Sequence, residues 1–82
     1  MPRRKIKEKA DNTFSNNLIY YRKINGLTQQ QVADYLAVNR TTYTKYETGA
    51  SEPSFFILRK IVELYKVDFN KIFISNYTQQ IK

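Results

Sequence analysis

Hydrophobic positions recur at helical spacing along most of the chain. Phe14, Leu18 and Tyr21 lie at i, i+4 and i+7, which places them on one stripe of a helix. The pattern predicts a first helix over about residues 12 to 25, where an Asn-Gly pair ends it.

Two short helices with only a tight turn between them are predicted in the middle of the chain. Thr28 and Gln31 have the spacing of a capping box at the start of the first helix, which we expect to end near Leu36. Asn39 is the expected N-cap of the second helix. Gly49 is suited to the left-handed position that follows its last turn.

The second of these helices has two different faces. At about 100° per residue, its polar and cationic side chains fall on one arc and its aromatic side chains on the other. We therefore expect the first arc to face solvent or a ligand and the second to pack on the core. The polar arc consists of Arg40, Thr41, Thr44, Lys45 and Thr48, and the opposite arc of Thr42, Tyr43, Tyr46 and Glu47.

A fourth and a fifth helix are predicted in the C-terminal third of the chain. Ser54 is the expected cap of a helix from Phe55 to about Tyr65. The inner face of this helix is predicted to consist of Phe55, Leu58, Ile61, Val62 and Tyr65. Asp68 is the expected cap of a short fifth helix. Its apolar side chains would face either the core or a second subunit, and they are Phe69, Ile72 and Phe73.

Composition narrows the classes of function. The 14 Lys+Arg and 7 Asp+Glu residues give a net charge of +7, which favours nucleic acid, an anionic membrane surface or an acidic protein as partner. Because the chain has no Cys and no His, thiolate and imidazole catalysis and Cys/His zinc sites are excluded. It also lacks a Gly-rich phosphate loop and a close carboxylate pair, so we expect no enzymatic activity, cofactor or metal.

The charge pattern divides the chain into three regions. We expect a basic flexible arm at residues 1 to 11, one domain at residues 12 to 74 and a tail at residues 75 to 82. The cations at the start of the arm are Arg3, Arg4 and Lys5. They would either remain in solvent or contact DNA, along the phosphates or in a minor groove. Every apolar run is short, so no membrane-spanning segment is expected.

One combination of residues in the central region has a characteristic spacing: Leu27, Thr28, Gln29, Val32, Ala33, Leu36, Val38, Tyr43, Tyr46, Glu47, Gly49 and Pro53. Here the chain resembles the lambda-repressor-like helix-turn-helix family, which includes the Cro and xenobiotic-response-element regulators. The resemblance covers about residues 18 to 73. It implies a compact, all-α domain of five helices, in which helices 2 and 3 form the helix-turn-helix.

The resemblance also implies an ion pair between Arg22, near the end of the first helix, and Glu47, near the end of the third. The alternative is that both charges are solvated. Two positions depart from the family pattern. Ala37 stands where the family usually has Gly, which would cost about 1 kcal/mol if the position requires a positive φ. The loop after Gly49 carries Glu52 and no cation, whereas many relatives place basic residues there.

In the docking geometry of this family, the third helix enters the major groove of DNA. The residues implied to contact bases are Arg40, Thr41, Thr44 and Lys45. Arg40 is the first candidate because a guanidinium can donate two hydrogen bonds to guanine, whereas Lys45 could reach either a base or a phosphate. The residues implied to contact phosphates are Gln29, Asn39 and Thr42, and loss of Gln29 is expected to weaken all sequences alike.

These features lead us to expect a cytoplasmic, sequence-specific regulator of transcription that binds double-stranded DNA. A repressor of bacterial or phage origin is the favoured form. We expect a homodimer on a two-fold operator, with an interface formed by Phe69, Ile72 and Phe73. An antitoxin-like module that holds a protein partner is the alternative, and its tail would use Ile74, Tyr77 and Ile81. Attachment to a membrane surface is a third reading, but the basic arm lacks Trp, Phe and Leu.

Overall fold

The computed structural model describes residues 12–73, which form four α-helices and a terminal 3-10 helix. The α-helices are α1 (Thr13–Ile24), α2 (Gln29–Leu36), α3 (Arg40–Thr48) and α4 (Phe55–Tyr65), and the 3-10 helix covers Phe69–Phe73. The prediction of an all-helical domain is confirmed for the described residues, but the count of five α-helices is wrong. The last segment is five residues long and is closed by an i to i+3 bond from the Lys71 amide to the Asp68 carbonyl, which gives the tighter helix.

The caps expected from the sequence are present on three helices. The Thr28 hydroxyl accepts from the Gln31 amide at 3.0 Å, and the Gln31 side chain accepts from the Thr28 amide at 2.8 Å. Asn39 and Ser54 cap α3 and α4 in the same manner. The side chain of Asn12 makes no capping bond to α1. Local hydrogen bonds therefore fix where α2, α3 and α4 begin.

The core lies between the four helices and is built from aliphatic and tyrosine side chains. Tyr43 is its largest fully buried side chain. Because Tyr43 lies on α3 opposite the polar arc, its burial turns that arc outward. The buried hydrophobic residues are Leu18, Tyr21, Val32, Ala33, Leu36, Tyr43, Tyr46, Ile61, Tyr65 and Ile72.

The inner face of α4 differs from the prediction at two positions. Phe55 is 65% exposed, and Val62 is not among the partly buried side chains that pack on the core. At about 100° per residue, both positions lie 100° or more from Ile61, the fully buried centre of the face. The side chains that pack on the core lie closer to Ile61 around the helix, and they are Ile57, Leu58, Leu64 and Tyr65.

The 3-10 helix separates the three residues proposed as a dimer interface. Of the two alternatives left for Ile72, the core or a second subunit, the structure shows the core, because Ile72 is fully buried within its own chain. The Asn17 side chain donates to the Ile72 carbonyl at 2.8 Å, which ties the 3-10 helix to α1. In contrast, Phe69 and Phe73 are 40% and 45% exposed.

A left-handed residue makes the turn between α2 and α3. Ala37 has φ 62° and ψ 41°, and its amide and that of Val38 donate to carbonyls at the end of α2. Val38 packs against the core, and Ala33 is fully buried where the two helices meet. The turn thus sets the angle of α3, and an Ala Cβ in this conformation is strained.

We expect Ala37→Gly to raise the free energy of unfolding by about 1 kcal/mol, because glycine adopts the left-handed conformation without the Cβ clash. Chemical denaturation of the two proteins would measure this difference. Ala50→Gly is the matched control: Ala50 is exposed and has no positive φ, so the same change should stabilise nothing there. Equal effects at both positions would show that Ala37 is not strained.

Candidate nucleic-acid interface

The polar arc of α3 forms the outer surface of the helix-turn-helix. Arg40, Thr41 and Lys45 are exposed, and Thr44 is half-buried. On the opposite side of α3, Tyr43, Tyr46 and Glu47 are buried, as the two-faced pattern predicted. With the exposed Thr48, this surface therefore presents two cations and three hydroxyl groups from one short helix.

A buried ion pair holds α3 against α1. The Arg22 Nε donates to Glu47 Oε2 at 2.6 Å, and Arg22 Nη2 donates to Glu47 Oε1 at 3.2 Å. The Arg22 and Glu47 side chains are only 13% and 4% exposed, so the alternative of two solvated charges is wrong. Arg22 Nη1 also donates to the Leu27 carbonyl at 3.1 Å. The pair is bidentate, which fixes the relative orientation of the two side chains.

Two further side chains complete the environment of this carboxylate. The Tyr43 hydroxyl donates to Oε2 of Glu47, and Gln29 Nε2 donates to Oε1 at 2.9 Å. Burial alone would raise the pKa of Glu47, but the hydrogen bonds from Arg22, Tyr43 and Gln29 outweigh it and lower the pKa. Burial and the bond to Glu47 raise the pKa of Tyr43. Glu47 is therefore ionised and accepts bonds from three helices.

Sequence reasoning found Arg22 as a partner of Glu47 but missed Tyr43 and Gln29. The separation of four residues between Tyr43 and Glu47 was a usable signal, because such residues are neighbours on a helix. Gln29 offered no comparable signal, since its contact with Glu47 depends on how α2 crosses α3.

Gln29 links the buried pair to the exposed arc. Its Oε1 accepts from Arg40 Nη2 at 3.3 Å and lies 3.4 Å from the Thr44 hydroxyl. A residue assigned to phosphates and two assigned to bases are thus brought into one hydrogen-bonded cluster. Thr41 and Lys45 project from α3 outside it.

A shallow depression lies beside this cluster at the N-terminus of α2. Its volume is about 570 Å³. Arg22, in its wall, is already paired with Glu47, so the features that favour an anion are the exposed Arg40 and the first amides of α2, which have no partner within the helix. The lining residues are Arg22, Leu27, Thr28, Gln29, Gln30 and Arg40.

The remaining residues assigned to phosphates lie either at the start of α3 or outside the described residues. Asn39 is exposed, but its Oδ1 accepts from the Thr42 amide at 2.8 Å and so caps α3. Thr42 is half-buried. Arg3, Arg4 and Lys5 lie outside the described residues, as does the tail with Ile74, Tyr77 and Ile81.

Between residues 12 and 73, no group of three or more acidic side chains is placed to hold a metal ion. No helix in this range is long and apolar enough to cross a membrane.

A family model for the helix-turn-helix matches residues 18–72, which include the buried pair, the turn and the polar arc. The chain belongs to the helix-turn-helix family. This confirms the lambda-repressor-like resemblance, which rested on residues of α2, α3 and the turn between them.

Curated relatives of this helix-turn-helix protein come from a bacterium and an archaeon. The uncharacterized HTH-type transcriptional regulator YqaE of Bacillus subtilis is 42% identical over 57 residues, which are 70% of this chain and 49% of YqaE. The uncharacterized HTH-type transcriptional regulator MJ0272 of Methanocaldococcus jannaschii is 39% identical over 61 residues, 74% of this chain and 92% of MJ0272.

A third relative is the SPbeta prophage-derived uncharacterized HTH-type transcriptional regulator YonR of Bacillus subtilis. It is 32% identical over 66 residues, which are 80% of this chain and 61% of YonR. The chain thus spans about half of YqaE and about three fifths of YonR, but nearly all of MJ0272.

We expect Glu47→Gln to lower the free energy of unfolding at pH 7 by about 3 kcal/mol, because it leaves a largely buried Arg22 without its counter-charge. Folding lowers the pKa of Glu47 from its ordinary value of 4.5, so the ionised carboxylate stabilises the native state fully at pH values above that ordinary value. This contribution is lost as the pH falls through the folded pKa. Denaturation from pH 7 to pH 3 should therefore show the difference between the two proteins narrowing.

Glu63→Gln is the control for this measurement, because Glu63 is exposed on α4. Its effect should stay within about 0.5 kcal/mol at every pH. A difference between wild type and Glu47→Gln that does not change with pH would contradict the role of the ionised carboxylate.

Proposed function

We propose that this helix-turn-helix protein is a sequence-specific regulator of transcription that reads double-stranded DNA with α3. The observation that carries the proposal is the exposed cationic arc of α3, held outward by the burial of Tyr43 and Glu47 on the other side of the same helix. The names of the three relatives, all HTH-type transcriptional regulators, support the same role.

In this proposal, the N-terminal half of α3 lies in the major groove. Arg40 donates to the O6 and N7 of a guanine, Thr41 and Thr44 contact neighbouring bases, and Lys45 reaches a base or a phosphate one turn further along. The net charge of +7 supports a polyanionic partner.

The phosphate backbone is proposed to cross the N-terminus of α2. The depression there is lined by Arg22 and Arg40, and the first amides of α2 have no partner within the helix, an arrangement that favours an anion. Asn39 and Thr42 are proposed to hold the next phosphate, at the start of α3. The loop from α3 to α4 has no cation, so the basic arm with Arg3, Arg4 and Lys5 is proposed to supply further contacts.

We further propose that the regulator is a cytoplasmic homodimer on a two-fold operator and acts as a repressor of bacterial or phage origin. One such domain makes few base contacts, and a second copy doubles them. The proposed interface is a row of neighbouring phenylalanine rings, in which Phe69 lies 5.4 Å from Phe73 and 5.9 Å from Phe55, measured between ring centroids. Phe73 in turn stacks on Phe14 at 5.4 Å. Three of these rings are 40% or more exposed.

Arg40→Ala should abolish the preference for one base pair of the binding site, because the guanidinium carries about 1–3 kcal/mol of discrimination. Duplexes selected from a random pool by the wild type and by the variant would be sequenced and compared. Arg59→Ala is the matched control: it removes the same charge from an exposed position on α4. A wild-type protein that binds every duplex equally would refute specific regulation.

Phe69→Ser should weaken self-association, because it removes the central ring of the exposed row. Sedimentation over a range of protein concentrations would report the change. Phe56→Ser is the control, since Phe56 is 60% exposed and contacts Lys60 instead of the row. A wild type that stays monomeric at every concentration, with and without operator, would refute the dimer.

A further inference from the structure

Tyr65, at the end of α4, carries a buried hydroxyl group with no hydrogen-bond partner among residues 12–73. The residue is only 8% exposed, and its ring stacks on that of Tyr21 with the centroids 5.5 Å apart, so packing keeps the hydroxyl inside. Left without a partner, a buried hydroxyl lowers the equilibrium constant for folding about 5- to 150-fold. The large majority of buried polar side-chain atoms avoid this cost by bonding to protein or to ordered water.

The Tyr65 hydroxyl lies near the side chains that surround the carboxylate of Glu47. Burial and the negative charge of Glu47 raise the pKa of Tyr65 to about 12, against an opposing effect of Arg22. Burial contributes most to the raised pKa of Tyr43, and Tyr65 adds to it. Because interactions between charges weaken with distance, Tyr65 is a neighbour of all three side chains, although it bonds directly to none of them.

The fourth α-helix has no part in the hydrogen bonds that hold α3. The carboxylate of Glu47 accepts from Arg22 of α1, Gln29 of α2 and Tyr43 of α3 itself. Over the part of the chain that the structure describes, no hydrogen bond joins α3 to α4. A small molecule bound between Tyr65 and this cluster would therefore give α4 a polar connection to α3.

Tyr43 offers an acceptor for such a molecule. Its hydroxyl hydrogen is donated to Oε2 of Glu47, which leaves lone pairs of the hydroxyl oxygen available to a donor. A water molecule can accept from the Tyr65 hydroxyl and donate to the Tyr43 oxygen. Each O–H group would then point toward the ionised carboxylate, and hydrogen bonds aligned in one direction strengthen one another. Two hydroxyl groups beside an ion pair are the polar surroundings that a buried water requires.

We infer that a water molecule binds inside the domain between the hydroxyl groups of Tyr65 and Tyr43, and that it connects α4 to the cluster around Glu47. A bridging water is nearly as favourable in enthalpy as a direct hydrogen bond. The end of α4 is thereby held to the helix that carries the polar arc. This connection forms within one chain and requires no DNA.

Tyr65→Phe removes the hydroxyl but keeps the ring and its stack on Tyr21. If the water is bound, the variant loses a bridged hydrogen bond, and its equilibrium constant for unfolding rises about two- to tenfold. A hydroxyl without any partner gives the opposite sign, because its removal lowers that constant. Chemical denaturation of the full chain measures the change, and an unchanged or lowered constant overturns the inference. Tyr35→Phe is the matched control: Tyr35 is 46% exposed, so the constant should stay the same.

A double-mutant cycle with Tyr43→Phe identifies the second partner of the water. If Tyr43 accepts from it, Tyr65→Phe has a smaller effect in the Tyr43→Phe protein than in the wild type. Equal effects in the two proteins overturn the bridge between the two hydroxyl groups.

A crystal structure of the full chain, at a resolution that shows water molecules, decides the matter even if Tyr43→Phe does not fold. We expect electron density for a water oxygen about 2.7–2.8 Å from both hydroxyl oxygens in the wild type, and its loss or displacement in Tyr65→Phe. A wild-type structure without density at this place overturns the inference.

Discussion

The carboxylate of Glu47 is a charge removed from water at the junction of α1, α2 and α3. Such a group is tolerated only if its acceptor sites are filled, and here Arg22, Tyr43 and Gln29 fill them. A well-packed apolar cluster could hold three helices together at similar stability. The ion pair differs in that its bonds have direction. Arg22 fixes α3 against α1 in rotation as well as in distance, and the rotation of α3 decides which of its side chains face outward.

The need to hold α3 in a fixed orientation also explains the strain in the turn between α2 and α3. Ala33 allows close approach of the two helices, and Val38 fills the space that the turn leaves over the core. Between them the chain must reverse within two residues, which the left-handed conformation of Ala37 achieves. The cost of about 1 kcal/mol is offset by the packing on either side. The fold thus accepts a strained residue to keep α3 at its angle.

Local signals in the sequence were sufficient for much of this architecture. The starts of three helices could be predicted from their N-cap residues, because a capping bond involves residues only three positions apart. These residues are Thr28, Asn39 and Ser54. Phe55 was misplaced because its hydrophobicity was counted without regard to its angle from Ile61. Ile72 was left between two alternatives because only its bond to Asn17, 55 residues away, shows which side of the segment faces the core.

The difference between Arg40 and Lys45 in the candidate site could not be predicted either, because it too depends on a contact between residues far apart in the sequence. Residue type and helical angle place four residues on one arc, but they do not show how these residues differ in their contacts. The four are Arg40, Thr41, Thr44 and Lys45. Their difference arises from α2, whose crossing angle brings Gln29 within hydrogen-bonding distance of Arg40 while Lys45 remains beyond it. Immobilising a long side chain on binding costs about 0.5–1.5 kcal/mol. The bond to Gln29 already restricts the Arg40 side chain in the free protein, whereas Lys45 has no such restriction. One arc of a single helix therefore combines an arginine that is held by a neighbouring helix with a lysine that has no such bond.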